Sequence, residues 1–598
     1  MCGIAGAIGW SADVERMTAA LAPRGPDGQA VRSFMGGRVR LGHRRLAIVD
    51  LSDAGSQPMC NESADIWLTF NGEIYNHPDL RRELERRGHR YASDCDAESI
   101  LHAYEEWGES FVKRLRGIFA FAIWDERRGR LIAARDHIGV KPFYYAESAG
   151  ELLFGSQPRA LLAGMTARVE PQSIVDYLSH GIVPAERAAF AGMRKLPPAH
   201  TLVWEDGCVS VGRYWQVQYK PTITDFNEAV ELVAAGVEDA VRSQLMADVP
   251  IATYLSGGID SSLLTGIANG FSAEQMHSFT VGFEESASDE RRFAELVANH
   301  FGTQHHVDVL RHEAAMRLID TVVEAHDEPF GMGAALPMTF ISQLTQRHGF
   351  KVVLSGDGAD ELFAGYLHYD LLYGRYRKWG LRTANEVRSW ARFLPVRGWF
   401  GRFDPLQYYA PHEAMMPPSL QKSILHPEFV AANRPQYDWR LPRHLDRNLP
   451  AVTAAQLLDL HTYLPDEILV KVDRATMAHG IEARVPFLDP KLVELAFSID
   501  GTLHYRNGER KAVLKAAARR WLPESVLTTR KKGFSIPVDK WILRGGMGAQ
   551  MTGEIADGWL VAHAILRQDG LSDAIEKLPA NFVLQLYLLE RWARRWVS

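Results

Sequence analysis

Apolar residues follow two different rhythms along the chain. Over the first two hundred positions they come in short runs, at 69–71, 119–124 and 131–134, which are too brief for helices and are bounded by Gly, Asp or Arg. Between them, 80–87 and 97–107 carry apolar residues at helical spacing. This part therefore predicts an α+β unit of mostly antiparallel strands. Leu196-Pro197-Pro198-Ala199-His200 leads into a further short strand, and 216–221 holds few residues of the kind that are buried, so a domain boundary is expected near 210–222.

Past that point Phe226, Val230, Val233, Val237 and Val241 recur at steps of three or four, behind Asp225 and Glu228 in capping-box spacing. A long amphipathic helix opens the second domain. Strand-like runs at 251–255, 277–283, 306–310 and 351–354 each precede a helical pattern, and that alternation predicts a doubly wound parallel sheet. From residue 400 onward the pattern is mainly helical, with Pro-rich interruptions such as 405–418.

The length of 598 residues accommodates two to four compact units at roughly 150 residues each. With 67 Lys plus Arg against 73 Asp plus Glu there is no long run of one sign, which argues against a nucleic-acid partner. The four cysteines contain no C-x-x-C pair and match neither a disulfide framework nor a zinc set. No stretch reaches the roughly 20 apolar residues of a membrane span, and the N-terminus lacks the features of a signal peptide. A cytoplasmic protein without a membrane partner is expected.

Candidate chemistry begins at the second residue. Removal of Met1 would leave Cys2 with a free α-amine beside its thiol, groups whose ordinary pKa values are about 7.7–8.0 and about 8.5. One residue then supplies both nucleophile and base. Downstream come Arg24-Gly25-Pro26-Asp27-Gly28, then Gly42-His43-Arg44-Arg45-Leu46-Ala47-Ile48-Val49-Asp50, Asn71-Gly72-Glu73-Ile74-Tyr75-Asn76 and Ser93-Asp94-Cys95-Asp96. Singly these are ordinary: Asn-Gly is a common hairpin turn, and Arg45 alone is a surface charge. In this order they resemble the class II glutamine amidotransferase domain, an N-terminal nucleophile fold of stacked antiparallel sheets, here over 2–215. The resemblance implies Cys2 as the nucleophile, the Asn71 side chain and Gly72 amide as oxyanion donors, Arg45 on the glutamine α-carboxylate, and Asp94 with Glu73 on its α-ammonium. Arg44 is left as structural or solvated.

In the second domain, a strand ending at Leu255 runs into Ser256-Gly257-Gly258-Ile259-Asp260-Ser261-Ser262 and then a helical pattern. Glycines make backbone amides at a helix start approachable by phosphate. The string resembles the pyrophosphate loop of N-type ATP pyrophosphatases and lacks the G-x-x-x-x-G-K-[ST] of kinase-like loops, so AMP and pyrophosphate are the expected products. A second strand delivers Ser355-Gly356-Asp357-Gly358-Ala359-Asp360, and in a parallel sheet the two loops face one crevice. ATP is expected along Leu255, Ser256, Gly257, Gly258, Asp260, Ser261, Ser262, Val281, Ser355 and Gly356, with Mg²⁺ shared by Asp260 and Asp360.

The string from Leu469 through Lys471, Asp473 and Arg474 to Asp489 resembles the C-terminal signature of the asparagine synthetase family, whose motif order covers nearly the whole chain. The second domain is then 222–598, an α/β ATP pyrophosphatase unit with a helical C-terminal part. By that resemblance, a cation at Arg474 or Lys471 meets the leaving pyrophosphate, and Asp357 contacts the acceptor or acts as base. Lys531-Lys532-Gly533-Phe534 is a cationic cover or a solvated basic turn, and 375–421 a lid over the acceptor or an interface. The implied reaction takes ammonia from glutamine to a carboxylate adenylated by ATP, with aspartate the favoured acceptor, another carboxylate the alternative and a catalytically silent scaffold the least favoured reading. A homodimer is expected from the resemblance alone.

Overall fold

Gly3–Ile8, the strand that follows Cys2, is buried at every position, and so is Gly117–Asp125. Such strands must be covered on both faces. Two six-stranded antiparallel sheets provide this by stacking. One runs in the order Met193–Lys195, Tyr144–Ser148, Glu151–Gly155, Gly3–Ile8, Val39–Arg45, Gly28–Phe34, and the other runs Cys208–Arg213, His200–Glu205, Arg130–Arg135, Gly117–Asp125, Ile66–Ile74, Met59–Cys60. The two-residue period shows in Gly117–Asp125. Ala120, Ala122 and Trp124 enter the core between the sheets with Ile4, Leu41 and Phe154. Phe119, Phe121 and Ile123 join the layer formed with Ile100 and Leu101 of the helix Glu98–Trp107.

The computed structural model describes residues 2–285, 289–370, 372, 416–433, 441–446, 448–528, 536–544 and 547–597. Lys531 to Phe534, and 375–415 of the lid-or-interface segment, lie outside them.

The helix Phe226–Ser243 forms as its pattern requires: the Asp225 carboxylate accepts from the Glu228 amide at 2.8 Å, and Val233 and Val237 are buried. The parallel sheet follows in the order Gln304–Val309, His277–Gly282, Ile251–Tyr254, Val352–Leu354, Glu482–Arg484. Its fifth strand did not emerge from periodicity, because three residues carrying two charges give no apolar run. Glu482 and Arg484 are fully buried there, paired at 2.5 Å. The two halves share core: Tyr177 and Phe190 of the first pack in one cluster with Phe330, Tyr587 and Trp592 of the second.

Candidate active sites

Cys2 lies at the start of its strand, next to the Gly3–Arg44 pair of the adjoining strand, and is 8% exposed. Its backbone nitrogen donates to Asn71 Oδ1 at 3.0 Å, and its Sγ lies 4.0 Å from the Leu46 carbonyl. Asn71 is fully buried, and its Nδ2 has no hydrogen-bond partner. A buried amide with an unused donor is costly, and here the donor belongs to the side chain that already holds the Cys2 nitrogen. Gly72 follows, where a Cβ would fall 2.1 Å from the Ile118 carbonyl, so a side chain at this position meets backbone. Burial pushes the Cys2 thiol up, and the positive chain terminus and Arg45 pull it back down.

Arg45 ends the neighbouring strand with its guanidinium on the carbonyls of Ser52, at 2.8 Å, and Asp50. Asp50 also ties in Asp94, whose backbone N–H donates to Asp50 Oδ2 at 3.0 Å, while the exposed Asp94 carboxylate pairs with Arg81 at 2.7 Å. Arg45 and Asp94 thus share one scaffold. Glu73 is placed differently. It is 2% exposed, and its Oε2 pairs with Arg484 Nη2 at 3.1 Å across the domain boundary. Asp96 and Glu482 also press on this group, and burial together with Asp96 holds the Glu73 carboxyl well above its ordinary range.

Sequence reasoning passed over the role of Arg24. Its Nε donates to the Cys2 carbonyl at 3.2 Å, and its two terminal nitrogens form a fork on Asp473 at 2.8 and 2.9 Å. Such bidentate pairs fix orientation as well as charge, and this one links the nucleophile's own backbone to the helix Leu469–Met477. The available signal was a buried-type Asp beside Arg474, which only a contact map joins to residue 24.

In the second half, Ser256 to Gly258 bridge the strand Ile251–Tyr254 and the helix Ile259–Phe271. Gly257 has φ +77°, and a Cβ there would stand 2.5 Å from the Ala294 nitrogen, so the turn accepts no larger residue. Ser261 Oγ accepts from the Ser256 amide at 3.1 Å and curls the loop onto the helix start. Gly356 approaches so closely that its Cβ would lie 3.2 Å from that of Asp260. Both loops open on a cavity of about 510 Å³, whose walls include Leu255, Ser256, Asp260, Ser261, Val281, Ser355, Gly356, Asp357, Asp360 and Lys471. Gly257 and Gly258 line an adjoining cavity of about 400 Å³ together with Lys511. Ser262 is buried on the helix. Asp357 accepts from Ser355 Oγ at 2.5 Å.

One expectation is narrowed and one further residue is added. Arg474 does not line the nucleotide cavity. One helical turn beyond Lys471, it is drawn into the first domain, where Nη2 donates to the Tyr144 hydroxyl at 3.1 Å and Nη1 to the Ser156 carbonyl at 3.5 Å. Of the two candidate cations, Lys471 alone reaches the cavity. The added residue is Lys511, which sequence reasoning missed. Its ammonium lies 2.7 and 2.6 Å from the Asp260 oxygens and 2.8 Å from Asp360 Oδ1. The clue was a basic residue just before the helix Ala512–Ala518, at the end where the helix dipole disfavours a cation. The two carboxylates converge on one cation, so their geometry fits a shared Mg²⁺.

Two family models cover most of the chain: "Glutamine amidotransferase domain" over residues 1–215 and "Asparagine synthase" over residues 232–595. The chain belongs to the asparagine synthase family. Among curated relatives, asparagine synthetase [glutamine-hydrolyzing] 1 of Bacillus subtilis is 31% identical, over 91% of this chain and 88% of the relative. Asparagine synthetase [glutamine-hydrolyzing] 3 of the same organism is 33% identical, over 89% of this chain and 87% of the relative. Amidase chry2 of Gibberella zeae is 28% identical, over 87% and 84%. These relatives thus carry more than one kind of name over most of the length of this chain. No helix among the described residues is long and apolar enough to cross a membrane.

Proposed function

We propose that the chain is a glutamine-hydrolysing asparagine synthetase, acting through Cys2 in one domain and an ATP-adenylation site in the other. The supporting observation is the presence in one chain of a buried Cys2–Asn71 pair and two loops that converge on a single cavity. Once Met1 is gone, the α-amine takes the thiol proton, and the thiolate attacks the glutamine carboxamide. The oxyanion is met by Asn71 Nδ2 and the Gly72 N–H, ammonia leaves, and water releases glutamate from the thioester. Arg45 and Asp94 hold the two ends of the amino acid.

In the second site the acceptor carboxylate attacks the α-phosphorus of ATP, and pyrophosphate leaves toward Lys471 and Lys511. Ammonia then displaces AMP to give the amide. Asp260 and Asp360 would hold Mg²⁺, which would neutralise phosphate charge, and Lys511 supplies a further cation beside the same two carboxylates. Asp357, on its Ser355 hydrogen bond, is the acceptor-side carboxylate. Leu46, whose carbonyl faces the thiol, and Ile48 pack against Val352 and Met477, so an apolar contact joins the Cys2 side of the first domain to the strand feeding the second loop. The domain limits 2–215 and 222–598, a homodimer and a reducing, cytoplasmic setting belong to the same proposal.

Aspartate is the acceptor favoured by the two Bacillus relatives. The amidase relative, together with Met332, Ile536 and Val538 on the cavity wall, favours a second reading with a bulkier, partly apolar carboxylate. An acceptor panel assayed for ATP-dependent pyrophosphate release with ammonium supplied separates them. Release with aspartate is expected, and release only with another carboxylate would replace it. Gly257→Ala is expected to weaken ATP binding about tenfold or more, because backbone must shift to admit the methyl at about 1–3 kcal/mol. Calorimetric titration of ATP would read this, with glutamine hydrolysis as the control that should not change.

A further inference from the structure

The segment carrying Asp94 is held by Glu98, whose carboxylate accepts from the Ala92 and Ser93 amides and from Ser93 Oγ at 2.7, 2.8 and 2.6 Å. Glu98 lies 3.5 Å from His102 Nε2, one helical turn along. The other ring nitrogen, Nδ1, faces Glu105 Oε2 at 3.4 Å and Glu62 Oε2 at 3.7 Å. His89 brings its Nδ1 to 3.9 Å from the same Glu105 oxygen, with the two imidazole centres 5.0 Å apart. Ligand atoms of Glu62, His89 and His102, from three separate stretches of chain, all lie within 4.8 Å of one another.

Two imidazoles and the Glu62 carboxylate, with Glu105 beside both rings, form a donor set for a divalent metal of the zinc class. Ligand bonds of about 2.0–2.2 Å in a tetrahedron put neighbouring donor atoms about 3.3–3.6 Å apart. His102 and Glu105 already stand at that spacing and His102 and Glu62 lie close to it, while the ligand atoms of Glu62, His89 and His102, all within 4.8 Å of one another, would draw together on binding. We propose that Glu62, His89 and His102, with Glu105 alongside, form a Zn²⁺-class metal site in the glutaminase half, separate from both reaction centres.

The surroundings have the form that metal sites require. A ligating histidine usually gives its second N–H to a carboxylate, and ligating carboxylates are themselves hydrogen-bonded. Glu98 stands at His102 Nε2, and Asn61 Nδ2 donates to Glu105 Oε1 at 2.7 Å. His102 is 1% exposed and fixed by Tyr91, whose ring meets it edge-on at 4.7 Å. Through Glu98 the bound metal would brace the turn that presents Asp94.

The test uses the full chain, stripped with a chelator, exposed to Zn²⁺ and freed of excess by gel filtration. One equivalent of zinc per chain is expected by mass spectrometry of the metal, together with a higher melting temperature, and Co²⁺ in its place should give the visible absorption of a tetrahedral site. His89→Ala and Glu62→Gln should each weaken binding about 10- to 100-fold and remove the thermal shift. Glu62 is exposed, so Glu62→Gln keeps the fold even if His89→Ala does not. No zinc retained by the parent chain would overturn the proposal. Equal retention by parent and variants would also overturn it, as adventitious binding.

Discussion

Cys2→Ala is expected to lower amide formation from glutamine by about 10³-fold or more while leaving formation from ammonium salts near the parental rate. The thiol supplies the bond-making electron pair in the first site, and no atom of Cys2 lies on the wall of the nucleotide cavity. The check is product formed per minute with each nitrogen source, beside pyrophosphate release as a measure of adenylation. Loss of both activities would mean that Cys2 also supports the second site through its carbonyl, which Arg24 links to Asp473.

That link marks where sequence reading stops. The strands at Gly117–Asp125 and Arg130–Arg135 and the helix Phe226–Ser243 were legible because period and capping are local. So were Cys2, Asn71 and the Ser256 to Ser262 loop, whose chemistry lies in residues adjacent in sequence. Arg24–Asp473, Glu73–Arg484 and Lys511–Asp260 join positions 449, 411 and 251 residues apart. Nothing in the local pattern distinguishes Arg474 from Lys471 either. Tertiary packing decides that Arg474 turns to Tyr144 while Lys471 reaches the cavity. The short strand Glu482–Arg484 was hidden for the opposite reason, since buried charges imitate a surface turn when their partner is unknown.

Arg484→Met is expected to destabilise the protein by about 3–5 kcal/mol, because it leaves Glu73 and Glu482 buried without their shared cation. Both carboxylates and the guanidinium are almost wholly enclosed, and Arg484 also donates to the Gln244 and Met246 carbonyls at 2.7 Å. Denaturant unfolding of parent and variant would measure the difference. Despite burial, Arg484 holds the Glu482 carboxyl down at about 2. A depressed carboxyl contributes stability above its unfolded value of about 4.3 and loses it as pH falls toward the folded value. The gap between parent and variant should therefore be widest near neutral pH and narrow on acidification below about pH 4. A gap that does not change with pH would assign the loss to packing alone.

Transfer of nitrogen between the two domains is tested most directly by isotope. The full chain is given amide-¹⁵N glutamine, ATP, Mg²⁺ and the acceptor that triggers pyrophosphate release, in the presence of excess unlabelled ammonium. The expected product carries ¹⁵N in its new amide well beyond the label in the dissolved ammonia, and mature chains begin at Cys2. An amide labelled only to the level of the surrounding ammonia, or one made from glutamine at full rate by chains that retain Met1, would contradict it.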